Sequence, residues 1–199
     1  MKAYLLLLIV FLLSCNSPPV KINHYLLSTP NNVEALKKHK TAGLVLLRQV
    51  SIADYLRQPN LVILLEQHKL YYSPRDVWAE SLKSAFSQAL LQDLNHSQAQ
   101  RYINVNSPLA DQANTSIQID LAHFHSTHLS TVVMSGRYWL SAHSSEQEKA
   151  EPVSITEHSF YYELDLQQDG FAHAVDQLRA TVTLLGKQID KDIALLTHN

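Results

Sequence analysis

Ser116-Ile117-Gln118-Ile119-Asp120-Leu121-Ala122-His123-Phe124 decides how this chain folds. Ile117, Ile119 and Leu121 recur at every second residue against Gln118, Asp120 and Ala122. That is the period of a β-strand with one covered face. Similar strands are predicted over Thr131 to Ala142 and Ser154 to Leu166, and a shorter one over Arg101 to Val105.

A one-sided sheet needs a cover, and the C-terminal segment supplies it. From Gly170 to Leu196, Phe171, Val175, Leu178, Val182, Leu185, Ile189, Ile193 and Leu196 fall on one helical stripe. Such a helix is roughly 40 Å long. A second helix is expected to start at Ser73-Pro74-Arg75-Asp76, where Ser73 caps, Pro74 takes the first helical position and Asp76 completes a capping box. It runs to about Leu94 and buries Trp78, Leu82, Ala85, Phe86, Ala89 and Leu90.

Upstream, short strands are predicted at His24 to Leu27, Gly43 to Val50, Leu61 to Leu65 and Lys69 to Tyr72. Val33 to Lys40 reads as a short charged helix. Ser51 to Arg57 reads as a helical turn halted before Pro59, since the residue before proline avoids helical geometry. The expected fold is α+β: a mixed, largely antiparallel sheet with two long amphipathic helices packed on it, forming a single compact domain over residues 24–199.

The N-terminus carries an address. Met1-Lys2-Ala3-Tyr4 precedes the apolar run Leu5 to Leu13, and Leu12-Leu13-Ser14-Cys15 closes it. One positive charge, about ten apolar residues and a small residue before the cut are signal-peptide anatomy, too short for a span of about 20 residues. Residues 1–14 are therefore expected to be removed, and Cys15, the only cysteine, to be the lipidation site. A thiol is needed there to accept the diacylglyceryl group; two or three acyl chains then hold far more firmly than one. Residues 15–23 follow as a tether whose Pro18-Pro19 pair favours extended backbone. At about 3.1 Å per residue its eight residues beyond Cys15 reach roughly 25 Å, so the body sits close to its membrane.

Composition excludes several functions. The formal charge is −2, with no block of like charge, which argues against nucleic acid. Only Gly43, Gly136, Gly170 and Gly186 are present, never adjacent, so no phosphate-cradling loop is expected, and no Gly-x-Ser-x-Gly elbow occurs. His123, His125 and His128 form the best metal candidate, because two share a strand face and a turn at Ser126 would bring the third near. In a regular strand, however, Asp120 lies on the opposite face from His123, and the trio is read as a histidine-rich hairpin tip. Asp76 and Glu80 are read as carboxylates offsetting the positive end of a helix rather than as an acid–base pair. No cofactor, metal or catalytic residue is expected.

Tyr25-Leu26-Leu27, then Val50-Ser51-Ile52-Ala53-Asp54-Tyr55-Leu56-Arg57-Gln58-Pro59-Asn60-Leu61-Val62, then Val77-Trp78-Ala79-Glu80-Ser81-Leu82, behind the Cys15 lipobox, resemble the PqiC/YmbA auxiliary lipoproteins of transport systems. Gln58, Val77 and Ser81 depart from that pattern. The resemblance implies a non-enzymatic periplasmic adaptor in an intermembrane lipid-transport system. Its partner would be a periplasm-spanning MCE-domain protein of the PqiB type, met at the periplasmic face of the outer membrane. It also implies a homo-oligomer. Tyr55, Leu56, Pro59 and Trp78 are the candidate partner contacts, with core or strand-edge packing as the competing reading of each. A lipid-anchored periplasmic hydrolase and a stand-alone envelope scaffold remain the competing readings.

Overall fold

The computed structural model describes residues 20–28, 43–66, 68–96, 100–142 and 154–197. The signal peptide, Cys15 and the helix expected at Val33 to Lys40 lie outside the described residues. Eight strands run in chain order as β1 (Asn23–Tyr25), β2 (Leu44–Ile52), β3 (Asn60–Glu66), β4 (Lys69–Trp78), β5 (Arg101–Asn104), β6 (Thr115–Thr127), β7 (Thr131–Ala142) and β8 (Ser154–Asp165). Two helices, α1 (Leu82–His96) and α2 (Phe171–Thr197), complete an α+β domain.

β6 organises the sheet. Along one side it pairs antiparallel with β7, from Thr115 opposite Ala142 to Ser126 opposite Val132, and β8 continues antiparallel beyond β7. The other side is shared. Its first half takes β2 in parallel, and its end takes β3 in parallel at Ser126 and Thr127. β5 flanks β2 in parallel, β4 flanks β3 antiparallel, and β1 lies parallel to the end of β4. The sheet is thus mixed, with most of its register in the antiparallel β6–β7–β8 meander.

The expected inward set of β6 is the observed one up to Leu121: Ile117, Ile119 and Leu121 are buried. At Ala122 a bulge inserts a residue opposite Gly136 and shifts the phase, so that Phe124 is the next core residue. Across the covered face, Trp78 lies 6.1 Å from Phe124 between ring centroids, and Phe86 meets Phe124 edge-on at 6.0 Å. The α2 stripe is core as expected: Val175, Leu178, Val182, Leu185, Ile189 and Ile193 are buried, and Phe171 and Leu196 pack at its ends. Each such side chain contributes about 1.5–3 kcal/mol on burial.

Polar bonds fix α2 sideways. Asp190 accepts from the Tyr102 hydroxyl at 2.6 Å on the β5 side. Asp192 accepts from the Tyr138 hydroxyl on the β7 side, and Gln188 accepts from Tyr162. Burial and the facing carboxylates push the Tyr102 and Tyr138 hydroxyls well above the usual phenol range, so both remain donors.

One helix boundary differs from the sequence expectation. Ser73 to Trp78 belongs to β4, and α1 begins at Leu82. The capping-box bonds exist nonetheless: the Asp76 N–H reaches the Ser73 hydroxyl at 3.1 Å, and that hydroxyl donates to the Asp76 carboxylate at 2.8 Å. Here they turn a strand. The ladder jumps from Tyr72 opposite Val62 to Val77 opposite Asn60, leaving Ser73 to Asp76 as a wide bulge. The Asn60 amide holds the Ser73 carbonyl at 2.7 Å. Proline is tolerated at such bulges and edges, which accommodates Pro74. The true cap of α1 is Ser81, whose hydroxyl accepts from the Ser84 N–H at 3.3 Å.

Candidate functional site

The candidate contacts from the sequence lie around the Asp54–Arg57 turn, which links β2 to β3. Between the segments of β6 covered by β2 and by β3, no strand is paired with this side of Ala122 to His125 among the described residues. Tyr55 fills that break. Its hydroxyl donates to the Ala122 carbonyl at 3.2 Å, and a backbone hydrogen bond from Phe124 meets its oxygen. Burial pushes the hydroxyl up to about 12, against the Phe124 bond and with help from nearby Tyr72, so it stays protonated and donating. Ala53 donates to the Leu121 carbonyl at 3.0 Å, closing the seam above.

The four candidate contacts therefore separate. Leu56 and Trp78 are buried in the core, and Tyr55 is half-buried in the sheet break. Pro59 is exposed, beside exposed Arg57 and Gln58. Asp54 and Arg57 form a surface ion pair at 3.1 Å, too solvated to contribute much stability. Among these residues, Asp54, Arg57, Gln58 and Pro59 form the exposed surface of the turn.

Tyr55→Phe is expected to lower stability by about 0.5–1.5 kcal/mol, the loss of a part-buried hydrogen bond to the Ala122 carbonyl. Urea denaturation measures this, and Tyr55→Phe should lose amide-exchange protection around Phe124 before the β7–β8 hairpin does. Uniform loss would refute the plug role.

The histidines do not assemble. His123 and His125 meet edge-on at 5.6 Å between centroids, whereas His128 turns away and bonds the Leu64 carbonyl at 3.2 Å. The Ala122 bulge brings Asp120 onto the same sheet face as His123, reversing the regular-strand expectation, since Arg137 and Ser135 are their respective partners on β7. Even so, no group of three metal-ligating side chains forms among the described residues. Burial pushes His125 below the ordinary histidine range; its bond to the Ser126 carbonyl opposes this and the charge of His123 adds to it. A neutral His125 sealed in the sheet is a packing group.

Asp76 and Glu80 also part company. Glu80 accepts from Gln88 at 3.1 Å, beside α1. Asp76, on β4 rather than in a helix, gathers Asn23 at 2.9 Å and Tyr25 at 3.1 Å, both from β1. Burial works to raise its carboxyl, but the bonds from Asn23, Ser73 and Tyr25 and the nearby Arg75 charge hold it below the usual carboxylate range. A depressed carboxylate contributes stability above its unfolded value and loses it as pH falls through the folded one. Acid is therefore expected to free β1 first. Exchange protection at the β1–β4 pairing should fall below about pH 4 in the wild type and be low at every pH in Asp76→Asn. Protection unchanged by Asp76→Asn would rule this out.

Beneath the turn, Leu56, Trp78, Phe124, Phe171, Val175 and Leu178 line a void of about 10 Å³, the space of a single water and far below a ligand cavity. No helix among the described residues is long and apolar enough to cross a membrane.

The family model for the ABC-type transport auxiliary lipoprotein component matches residues 25–190, from the last residue of β1 into α2, which ends at Thr197. The chain belongs to this family. No curated protein matches it significantly by sequence. Among solved structures, an uncharacterized protein is similar with a TM-score of 0.69 at 21% identity, covering 87% of this chain and 99% of its own. A Xanthomonas campestris protein of the DUF330 family is similar with a TM-score of 0.59 at 14% identity, covering 87% and 90%. At such identities the likeness is one of fold. By the family's description its members are lipoprotein auxiliary components of ABC-type transport.

Proposed function

We propose that the protein is a lipid-anchored, non-enzymatic adaptor of an MCE-type intermembrane lipid-transport system, held at the periplasmic face of the outer membrane through Cys15. The family match over residues 25–190 carries the reading. One further feature supports it. Asn16 after Cys15 is not the aspartate that commonly retains lipoproteins at the inner membrane. Docking of an MCE-domain partner of the PqiB type is assigned to the exposed part of the turn, with Pro59 as its apolar contact and Tyr55, Leu56 and Trp78 supporting it from behind. A homo-oligomer presenting several such turns would suit a periplasm-spanning conduit.

Crosslinking in intact membranes followed by pull-down is expected to recover an MCE-domain protein, and Pro59→Asp to reduce that recovery severalfold with the protein still folded. Recovery of no MCE-domain protein would sink the assignment. Cys15→Ser is expected to leave an unprocessed or soluble protein absent from the outer-membrane fraction; a variant that still matures and stays there refutes the anchor.

A further inference from the structure

β1 and β4 form one edge of the sheet, and that edge is where the described chain begins. β4 carries no strand on its outer flank from Lys69 to Arg75 among the described residues, because β1 pairs only with Asp76 to Trp78. Four large apolar or aromatic side chains stand exposed along it: Val20 at 62%, Ile22 at 50%, Tyr71 at 43% and Tyr72 at 37%. Carried backwards, the parallel register of Asn23 with Asp76 sets Ile22 level with Arg75 and Val20 level with Ser73, the neighbour of Tyr72. Successive strand residues point to opposite faces, so Tyr71 and Tyr72 flank the edge from both sides.

The surroundings are basic. Lys21, Lys69 and Arg75 are exposed, and none lies within an ion pair among the described residues. Two carboxylates stand beside these three cations: exposed Glu66, the cross-strand partner of Lys69, and Asp76, which feels the Arg75 charge and is engaged by Asn23, Ser73 and Tyr25. Tyrosines, aliphatic tips and exposed cations together make the composition of a protein surface that meets lipid headgroups.

Chain length selects the occupant. Val20 is five residues beyond Cys15, a span of at most roughly 18 Å even when fully extended. The start of the edge is thereby held within that distance of the embedded acyl chains, and its aromatic and basic side chains favour turning the rest of it onto the headgroups. Resting on the Cys15 anchor of the proposed function, we infer that the β1–β4 edge lies against the bilayer that holds the anchor. Lipidation and the edge together then set the orientation of the domain, with the opposite edge, β8, directed away from the membrane.

The mature lipidated protein permits a direct test, because Cys15 is the only cysteine and acylation blocks it. Tyr72→Cys and, as a control on β8, Ile155→Cys would each carry a fluorescent thiol label. Each variant is reconstituted into vesicles of phosphatidylethanolamine with a minority of phosphatidylglycerol, doped with doxyl-labelled phosphatidylcholine. Severalfold stronger quenching at position 72 than at 155 is expected. Charge reversal of Lys21, Lys69 and Arg75 to glutamate should reduce that quenching while flotation with the vesicles persists through the acyl chains. Equal quenching at both positions overturns the inference, as does concentration-dependent crosslinking of position 72 to a second copy without quenching. Failure of the anchor itself is seen separately, as loss of flotation and absence of acyl mass on Cys15.

Discussion

Gly136→Ala is expected to lower stability by about 3 kcal/mol or more, among the larger effects of a single methyl group. A Cβ at residue 136 would sit 2.1 Å from the carbonyl oxygen of Asp120 and 3.1 Å from its carbon. Both are backbone atoms of the central strand, so the clash cannot be relieved by rotating a side chain. The Phe160 ring, opposite Gly136 on β8, adds a contact at 2.9 Å. The cause is the Ala122 bulge, since Gly136 faces the point where β6 carries one residue too many. Relief requires shifting β6 against β7, and with them the core side chains Ile119, Leu121 and Phe124. Urea denaturation of Gly136→Ala should show a much lower midpoint, and adding Phe160→Leu should recover little because the backbone contact remains. A midpoint unchanged from wild type would mean that the bulge is not where it is described. Full recovery by Phe160→Leu would make the ring, and not the backbone, responsible.

That glycine is also where reading the sequence reached its limit. A strand such as Thr131 to Ala142 announces itself through alternation, and a glycine inside it signals a bulge or a close approach. Which neighbour approaches depends on register, and no local pattern in Ser116 to Phe124 marks Ala122 as the extra residue. The relation of Asp120 to His123 reversed for that reason. Ser73 to Asp76 failed differently. A serine hydroxyl on the third following N–H and a carboxylate returning to it satisfy a helix start and a strand bulge equally well. What decided between them was β1, whose Asn23 and Tyr25 supply the partners of Asp76 from a distant part of the chain. The stripe of α2 was legible from end to end, because long amphipathic periodicity survives any error in its neighbours. The candidate contacts were legible as a segment but not as individual roles. Tyr55-Leu56 reads as an aromatic and aliphatic pair, and only the break between β2 and β3 makes the tyrosine a hydrogen-bonding plug and leaves Pro59 outside.

Removing either member of the Asp93–Arg179 pair is expected to cost about 3 kcal/mol, whereas replacing both with leucine should cost much less than the two single changes together. Arg179 grips Asp93 with two guanidinium nitrogens, each at 2.5 Å from a different carboxylate oxygen. Thr183 donates to the same carboxylate at 2.9 Å and accepts from Arg179 at 2.8 Å. Side-chain exposures of 24% for Arg179 and 16% for Asp93 leave little water to take over if one partner is lost. The remaining partner is then a charge held in a helix interface with nothing to neutralise it, which is the larger part of the penalty. Gly186 permits the approach, since a Cβ there would already stand 3.3 Å from that of Asp93. The pair thus ties α1 to α2 across an interface in which Leu90 and Leu185 are both fully buried. A double-mutant cycle in urea tests this, with Asp93→Leu, Arg179→Leu and the combined variant. Strong non-additivity with a near-native double variant is the expected result. Two small and additive losses would show instead that the pair is solvated and that apolar packing alone holds α1 against α2.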